Sequence, residues 1–241
     1  MLDQILVVLA SPKDAWQPME EILAWAQTLD CDVHLLYCYQ PRWPDFLKKR
    51  SLASAKQQVA ELQTAFAGRL AKGRLLYSHV EKGDRQAVIR NYVSRLGIDL
   101  LVLCGNAGAL HQAGRKELLH ATYGCPVLSY RGGKTTPGFN NILVPVNDCF
   151  PVRKIQFATY LALLGKSRIH LMGTGTEAVL LKTYTLLRER TNLPVFYYQH
   201  NNAGGKGCAD LAKKVEADLI MVQEKNEYKL FAAAPIPVMA V

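Results

Sequence analysis

A chain of 241 residues with 49% apolar and 20% charged side chains can bury a sizeable core, is too apolar to be disordered, and contains no apolar run near the ~18 residues of a membrane span. The net charge is +9, but residues 1–133 hold 16 basic against 12 acidic side chains and residues 134–241 hold 13 against 8, so the excess is +4 and +5 and no basic tail exists. With no RNP, helix-turn-helix or finger pattern, that spread predicts a solvated surface without a specific nucleic-acid partner; the densest patch, Lys48-Lys49-Arg50 with Lys56, opens a predicted helix.

The chain opens MLDQILVVLASP, where a short apolar run behind the acidic Asp3 suits a first strand over 4–10 better than a signal peptide. A helix over 16–29 and a strand over 33–38 follow. A helix over 45–71 comes next, with Leu52, Ala55, Val59, Leu62, Phe66 and Leu70 recurring at spacings of three and four. Then come a strand over 74–79, a turn at Glu81-Lys82-Gly83-Asp84 with Asp84 as helix cap, a helix over 84–96, a strand over 99–104, a helix over 114–122 and a strand over 126–130. ILVVLA and DLLVLC are almost wholly apolar. Strands of that kind are covered on both faces, which predicts a parallel sheet sandwiched by helices. Ligands of such sheets sit beyond the carboxyl ends of the strands.

At Ile142 the pattern begins again, as ILVPV, a polar turn, a helix of about 14 residues and a second apolar strand that carries a histidine at the same place. Ile5 and Ile142 are 137 positions apart, and His34 and His170 are 136 apart. Residues 80–105 likewise match 201–224, pairing Asp99 with Asp218, and both copies close on Pro-Val strands, YGCPVLSYR and PIPVMAV. A duplicated unit follows from this register. The domains are 1–133 and a more degenerate 140–241, joined by a Gly/Thr/Pro linker at 134–139. The helix over 177–190 is the shorter counterpart of 45–71.

Chemistry-bearing residues are sparse. Cysteines 31, 38, 104, 125, 149 and 208 show no CxxC spacing and read as reduced thiols of a cytoplasmic protein. The six histidines do not cluster in sequence and lack HxH or HExxH spacing; His34 and His170 recur inside strands and read as structural. No metal site is nominated, the alternative being a zinc site assembled only in three dimensions. Gly173-Thr174-Gly175-Thr176-Glu177-Ala178 matches a dinucleotide fingerprint locally, but it follows the second strand of its copy and the next strand, 194–200, offers no acidic residue for a ribose. A tight strand-to-helix turn is the reading, with an NAD(P) oxidoreductase as the alternative. Gly204-Gly205-Lys206-Gly207 lacks the Ser or Thr of a P-loop and reads as a turn, with weak anion capture as its alternative. No G-x-S-x-G elbow is present, so no catalytic residue is nominated.

A twice-written βα unit opening ILVVLA or ILVPV, carrying HLL or HLM in its second strand, DLLVLC or DLIMVQ in its fourth and a closing Pro-Val strand, resembles the universal stress protein family in its tandem form. The resemblance covers Ile5 to Tyr130 and Ile142 to Val241. It implies two flavodoxin-like units, each a five-stranded parallel sheet of order 3-2-1-4-5. It also implies pairing of units through their last strands, so that one chain forms an intramolecular pseudo-dimer, with a further homodimer left open. Members of the family that bind ATP carry an aspartate at the end of the first strand and G-x2-G-x9-G-[S/T] after the fourth. Those glycines let backbone close on phosphates, and the last opens a helix whose free N–H groups favour an anion.

Measured against that motif, the first copy keeps Gly105 and Gly108 but has Leu118 and Leu119 nine residues further on, and its nearest substitute is Gly114-Arg115. Its first strand ends Leu9-Ala10, without the aspartate. The second copy has Gln223-Glu224-Lys225-Asn226-Glu227-Tyr228 in place of the glycines, and Asn147 then Asp148 after its first strand. Two carboxylates there repel a triphosphate. The resemblance therefore implies a non-enzymatic cytoplasmic stress-response or regulatory module that binds a protein partner or small ligand and needs no cofactor. The alternative is an ATP binder, or slow ATPase, that uses the first domain alone, with Gly105, Gly108, Gly114 and Arg115 around the phosphates.

Overall fold

The computed structural model describes residues 2–39, 50–104, 124–130, 139–199, 205–222 and 236–241. Two compact units, Met1–Pro137 and Gly138–Val241, make up the chain.

In the first unit β1 (Gln4–Leu9), α1 (Trp16–Leu29), β2 (Asp32–Tyr39), α2 (Arg50–Phe66), β3 (Leu76–Lys82), α3 (Arg85–Leu96), β4 (Leu100–Cys104) and β5 (Val127–Tyr130) follow in turn. The strand order is β3-β2-β1-β4-β5, and every pairing within it is parallel. All five residues of β4 are buried, as are the last five of β1. Near-continuous apolar strands require cover on both faces, and the helices supply it. On one face Leu6, Val8, Leu36 and Leu101 pack against Ile89 and Tyr92 of α3. The amphipathic stripe of α2 buries Ala55, Val59, Leu62 and Phe66.

Two elements differ from the sequence reading by more than one residue. The helix expected over 45–71 is described from Arg50, its α-helical part stops at Phe66, and Ala67–Arg69 form a tighter 3-10 turn; 45–49 lie outside the described residues. β3 starts at Leu76 rather than 74 and runs on through Lys82, because Glu81 and Lys82 pair with Cys38 and Tyr39. Ahead of it the Leu75 amide donates to Asp32 Oδ1 at 2.9 Å, and Arg74 donates to the Asp30 carboxylate at 3.0 Å. Asp84 caps α3 as expected, accepting from the Ala87 amide at 2.9 Å. The helix expected over 114–122 lies outside the described residues.

In the second unit β6 (Asn141–Val146), α4 (Val152–Gly165), β7 (Arg168–Gly173), α5 (Glu177–Arg190), β8 (Val195–Gln199), α6 (Gly205–Lys214), β9 (Leu219–Val222) and β10 (Val238–Ala240) repeat the plan. The order is β8-β7-β6-β9-β10, again parallel at each pairing. Both units therefore have the order 3-2-1-4-5. Register repeats as well: Leu6 lies opposite His34, and Leu143 lies opposite His170. The Gly205-Lys206-Gly207 stretch, expected as a turn, forms the first turn of α6. Cys208, Leu211 and Ala212 are spaced to bury one helical face, and this face draws the glycines into the helix.

The two units also share a clamp on the first strand. Asp99 Oδ2 accepts from the Asp3 and Gln4 amides at 2.8 and 3.0 Å. Asp218 Oδ2 accepts from the Asn140 and Asn141 amides at 2.9 and 3.0 Å. Burial pushes the Asp218 carboxyl above its ordinary range, against the opposing effect of those two amides. No described helix is long and apolar enough to cross a membrane.

Candidate functional site

A parallel sheet places its helix N-termini and strand ends on one rim, and ligands of such folds bind there. In the second unit the described part of that rim, at the ends of β6 and β7, is closed by the protein's own loop. β6 ends at Val146, and the next two residues, Asn147 and Asp148, meet the loop Gly173–Thr176 that joins β7 to α5. The Thr174 amide donates to the Val146 carbonyl at 2.9 Å. The Thr174 hydroxyl donates to the same carbonyl at 3.2 Å and also to Asn147 Oδ1. Asp148 Oδ1 accepts from the Thr176 amide at 2.8 Å, holding the first turn of α5, and Gln199 Nε2 donates to the Gly175 carbonyl at 3.1 Å.

The glycines of this loop make that closure possible. A Cβ on Gly175 would meet the Asp148 carboxylate and stand 2.7 Å from the Asp148 backbone nitrogen. A Cβ on Gly173 would meet the end of the Gln199 side chain and stand 2.7 Å from Leu180 Cδ2. Gly175 thus serves a close approach of backbone to backbone within the unit, and Gly173 makes room for the Gln199 and Leu180 side chains. Beneath it Lys154, 1% exposed, donates from Nζ to the Pro145 carbonyl at 2.6 Å. The 223–228 segment, where sequence reading put two carboxylates, lies outside the described residues.

The rim of the first unit is built differently. β1 ends at Leu9, and the Ala10 amide donates to the Cys104 carbonyl at 3.0 Å, holding the ends of β1 and β4 together. Arg85, first residue of α3, donates from Nη2 to the Leu9 carbonyl at 3.4 Å. A guanidinium therefore stands over the tip of the central strand. It also neighbours Cys38, whose buried thiol is pushed up to about 11 by desolvation against the pull of that cation. Gly83, with φ +151°, supplies the bend between β3 and α3. The candidate phosphate-loop residues Gly105, Gly108, Gly114 and Arg115 lie outside the described residues.

One constellation went unseen in the sequence. The histidines do not cluster along the chain, yet His34 and His79 meet across β2 and β3, with Nδ1 of the first 3.2 Å from Nε2 of the second. The counterpart in the second unit is His170 with Tyr198, 3.3 Å between Nδ1 and the hydroxyl. Strand register alone brings these groups together. The available signal was the parallel recurrence of an amide in the first strand (Gln4, Asn141) with a histidine in the second. Among the described residues no group of three or more His, Cys, Asp and Glu side chains is placed to hold a metal ion. None of the six cysteines is disulfide-bonded.

No family model and no curated protein matches the sequence. Solved structures do. A universal stress protein from Archaeoglobus fulgidus DSM 4304 is similar over 99% of this chain and 95% of its own, with 12% identity and a TM-score of 0.78. A functionally unknown protein from Pseudomonas aeruginosa PAO1 is similar over 100% of this chain and 92% of its own, with 15% identity and a TM-score of 0.68. At such identities the likeness is one of fold. From end to end, this chain has the fold of the universal stress proteins, two consecutive α/β units of strand order 3-2-1-4-5.

Proposed function

We infer that the protein is a tandem universal stress protein that works as a cytoplasmic regulatory binding module for a protein partner or small ligand, and that its second unit has given up nucleotide binding. The observation that carries this reading is the loop Gly173–Thr176 folded onto Asn147 and Asp148, the residues that follow the first strand of the unit, where the nucleotide-binding members carry an aspartate. Backbone and side-chain bonds hold that loop, so a nucleotide would have to displace them before binding. The repulsion from Glu224 and Glu227 adds to the same conclusion. Six cysteines without CxxC or ligand-like spacing are the sequence feature behind the choice of a reducing compartment.

A second reading, ATP binding by the first unit alone, is favoured by one observation, the Arg85 guanidinium over the end of β1. It would act with Gly105, Gly108, Gly114 and Arg115. Melting temperature with and without millimolar ATP and magnesium decides between the two. A ligand at about 100 times its dissociation constant adds ~2.7 kcal/mol, a shift of a few degrees. The regulatory reading expects no shift. A shift that disappears in Arg115→Ala, or in Gly108→Val with Arg115→Ala, establishes the second reading and overturns the first.

A further inference from the structure

Neither reading employs the histidine pair of the first unit. His34 is 6% exposed, and His79 is half-buried on the edge strand β3. Nε2 of His34 lies 2.7 Å from Gln4 Oε1, and Gln4 Nε2 donates to Asp32 Oδ2 at 3.4 Å, which turns the amide oxygen toward the ring. Nε2 of His34 therefore carries the hydrogen. Its Nδ1 is then the acceptor, and Nε2 of His79 must donate to it. One added proton fits on Nδ1 of His79 and leaves this chain of bonds whole. A second would set two N–H groups of two cations against each other across 3.2 Å.

The surroundings do not relieve that conflict. Tyr77 stacks on His34 with centroids 4.6 Å apart, and Tyr92 of α3 meets His79 edge-on at 5.0 Å. The Tyr92 hydroxyl donates to Glu81 Oε1 at 2.7 Å, and the Arg95 guanidinium lies 4.7 Å over the Tyr92 ring. Asp32 and Glu81 favour charged rings, but burial outweighs them. It holds both imidazoles below their ordinary range, assisted at His34 by the charge of His79 and at His79 by Arg95.

The second unit is a built-in control. Asn141 Nδ2 donates to the Glu216 carbonyl at 3.3 Å, so its oxygen faces His170 Nε2 at 3.2 Å, and His170 Nδ1 accepts from the Tyr198 hydroxyl. Phe196 and Tyr198 stack on the ring. Burial, and then Arg168, lower the affinity of this imidazole for a proton too. A hydroxyl, however, can turn from donor to acceptor. His170 can gain a proton and keep both hydrogen bonds.

We propose that His34 and His79 hold at most one proton between them and so make the edge strand β3 of the first unit more acid-labile than β8 of the second, where the His170–Tyr198 pair has no opposed N–H groups on protonation. The sign follows from proton counting. Two unfolded histidines take up two protons as the pH falls through about 6.5, whereas the folded pair takes one. The stability of the joint is complete above that pH and declines below it.

The test is imidazole NMR of the whole protein between pH 7.5 and 5, together with hydrogen exchange of β3 and β8. The expected result is uptake of one proton by the His34–His79 pair, both rings responding together, while β3 amides lose protection relative to β8. In His79→Tyr, which installs the partner used by the second unit, melting temperature should fall less steeply with acid, by about 4 °C per pH unit compared with the unaltered chain. Two independent titrations near pH 6.5, or identical acid slopes in both proteins, overturn the proposal. The NMR titration uses the unaltered chain and decides the matter even where His79→Tyr does not fold.

Discussion

The two units are built alike inside and differ, among the described residues, at their rims. In both, an aspartate ahead of the fourth strand clamps two amides at the start of the first, Asp99 in one and Asp218 in the other. In both, an amide side chain of the first strand holds a histidine of the second. Even left-handed helix ends recur: Asp30 (φ 52°) and Lys166 (φ 53°) close α1 and α4, and Gly97 (φ 62°) and Glu216 (φ 51°) stand at matching places after α3 and α6. At the described strand ends the two differ. One rim carries a guanidinium over β1, and the other is sewn to its own loop. The lesson is that elements which set the path of the backbone have the same requirements in either copy, whereas rim residues are free of those requirements.

The largest effect is expected at the clamp. Asp99→Ala and Asp218→Ala each strip two backbone donors of a carboxylate and should cost about 2–3 kcal/mol, confined to the unit that carries the change. Hydrogen exchange reads the units separately. A loss in one copy without the other would show that the two frames are not equivalent.

Next comes the closed rim. Gly175→Ala pushes a methyl group against the backbone of Asp148 and should cost about 2 kcal/mol, whereas Gly173→Ala meets the movable ends of Gln199 and Leu180 and should cost less than ~1 kcal/mol. Urea unfolding ranks the pair. The reverse ranking would mean that the loop does not rest on Asp148 in the way described.

The smallest effect is a gain. Glu216→Gly gives the second unit the glycine that the first has at Gly97 and should stabilise by about 0.5 kcal/mol, relief of the left-handed backbone being offset in part by a more flexible unfolded chain. Thermal unfolding of the variant against the unaltered protein measures it.

Legibility in the sequence followed the range of the interactions involved. α1 runs over 16–29 as expected because its apolar spacing is a local property, and Asp84 was recognisable as a cap because a cap bonds three residues away. β3 was placed two residues early because its start is set by pairing with β2 and by Asp32, neither adjacent in the chain. Gly173 and Gly175 were identified as a tight turn. That the turn lies on Asn147 and Asp148 depends on β6 and β7 standing side by side.

The order of elements, the duplication and the parallel, two-sided character of each sheet were determined by sequence alone, since apolar periodicity and repeat spacing are written along the chain. Which groups meet across strands was decided only by tertiary structure. His34 finds His79, and Thr174 finds Asn147, through registers that place residues 45 and 27 positions apart within hydrogen-bonding distance. Side-chain hydrogen bonds act over about 3 Å, so their partners are fixed only once the sheet has set its register.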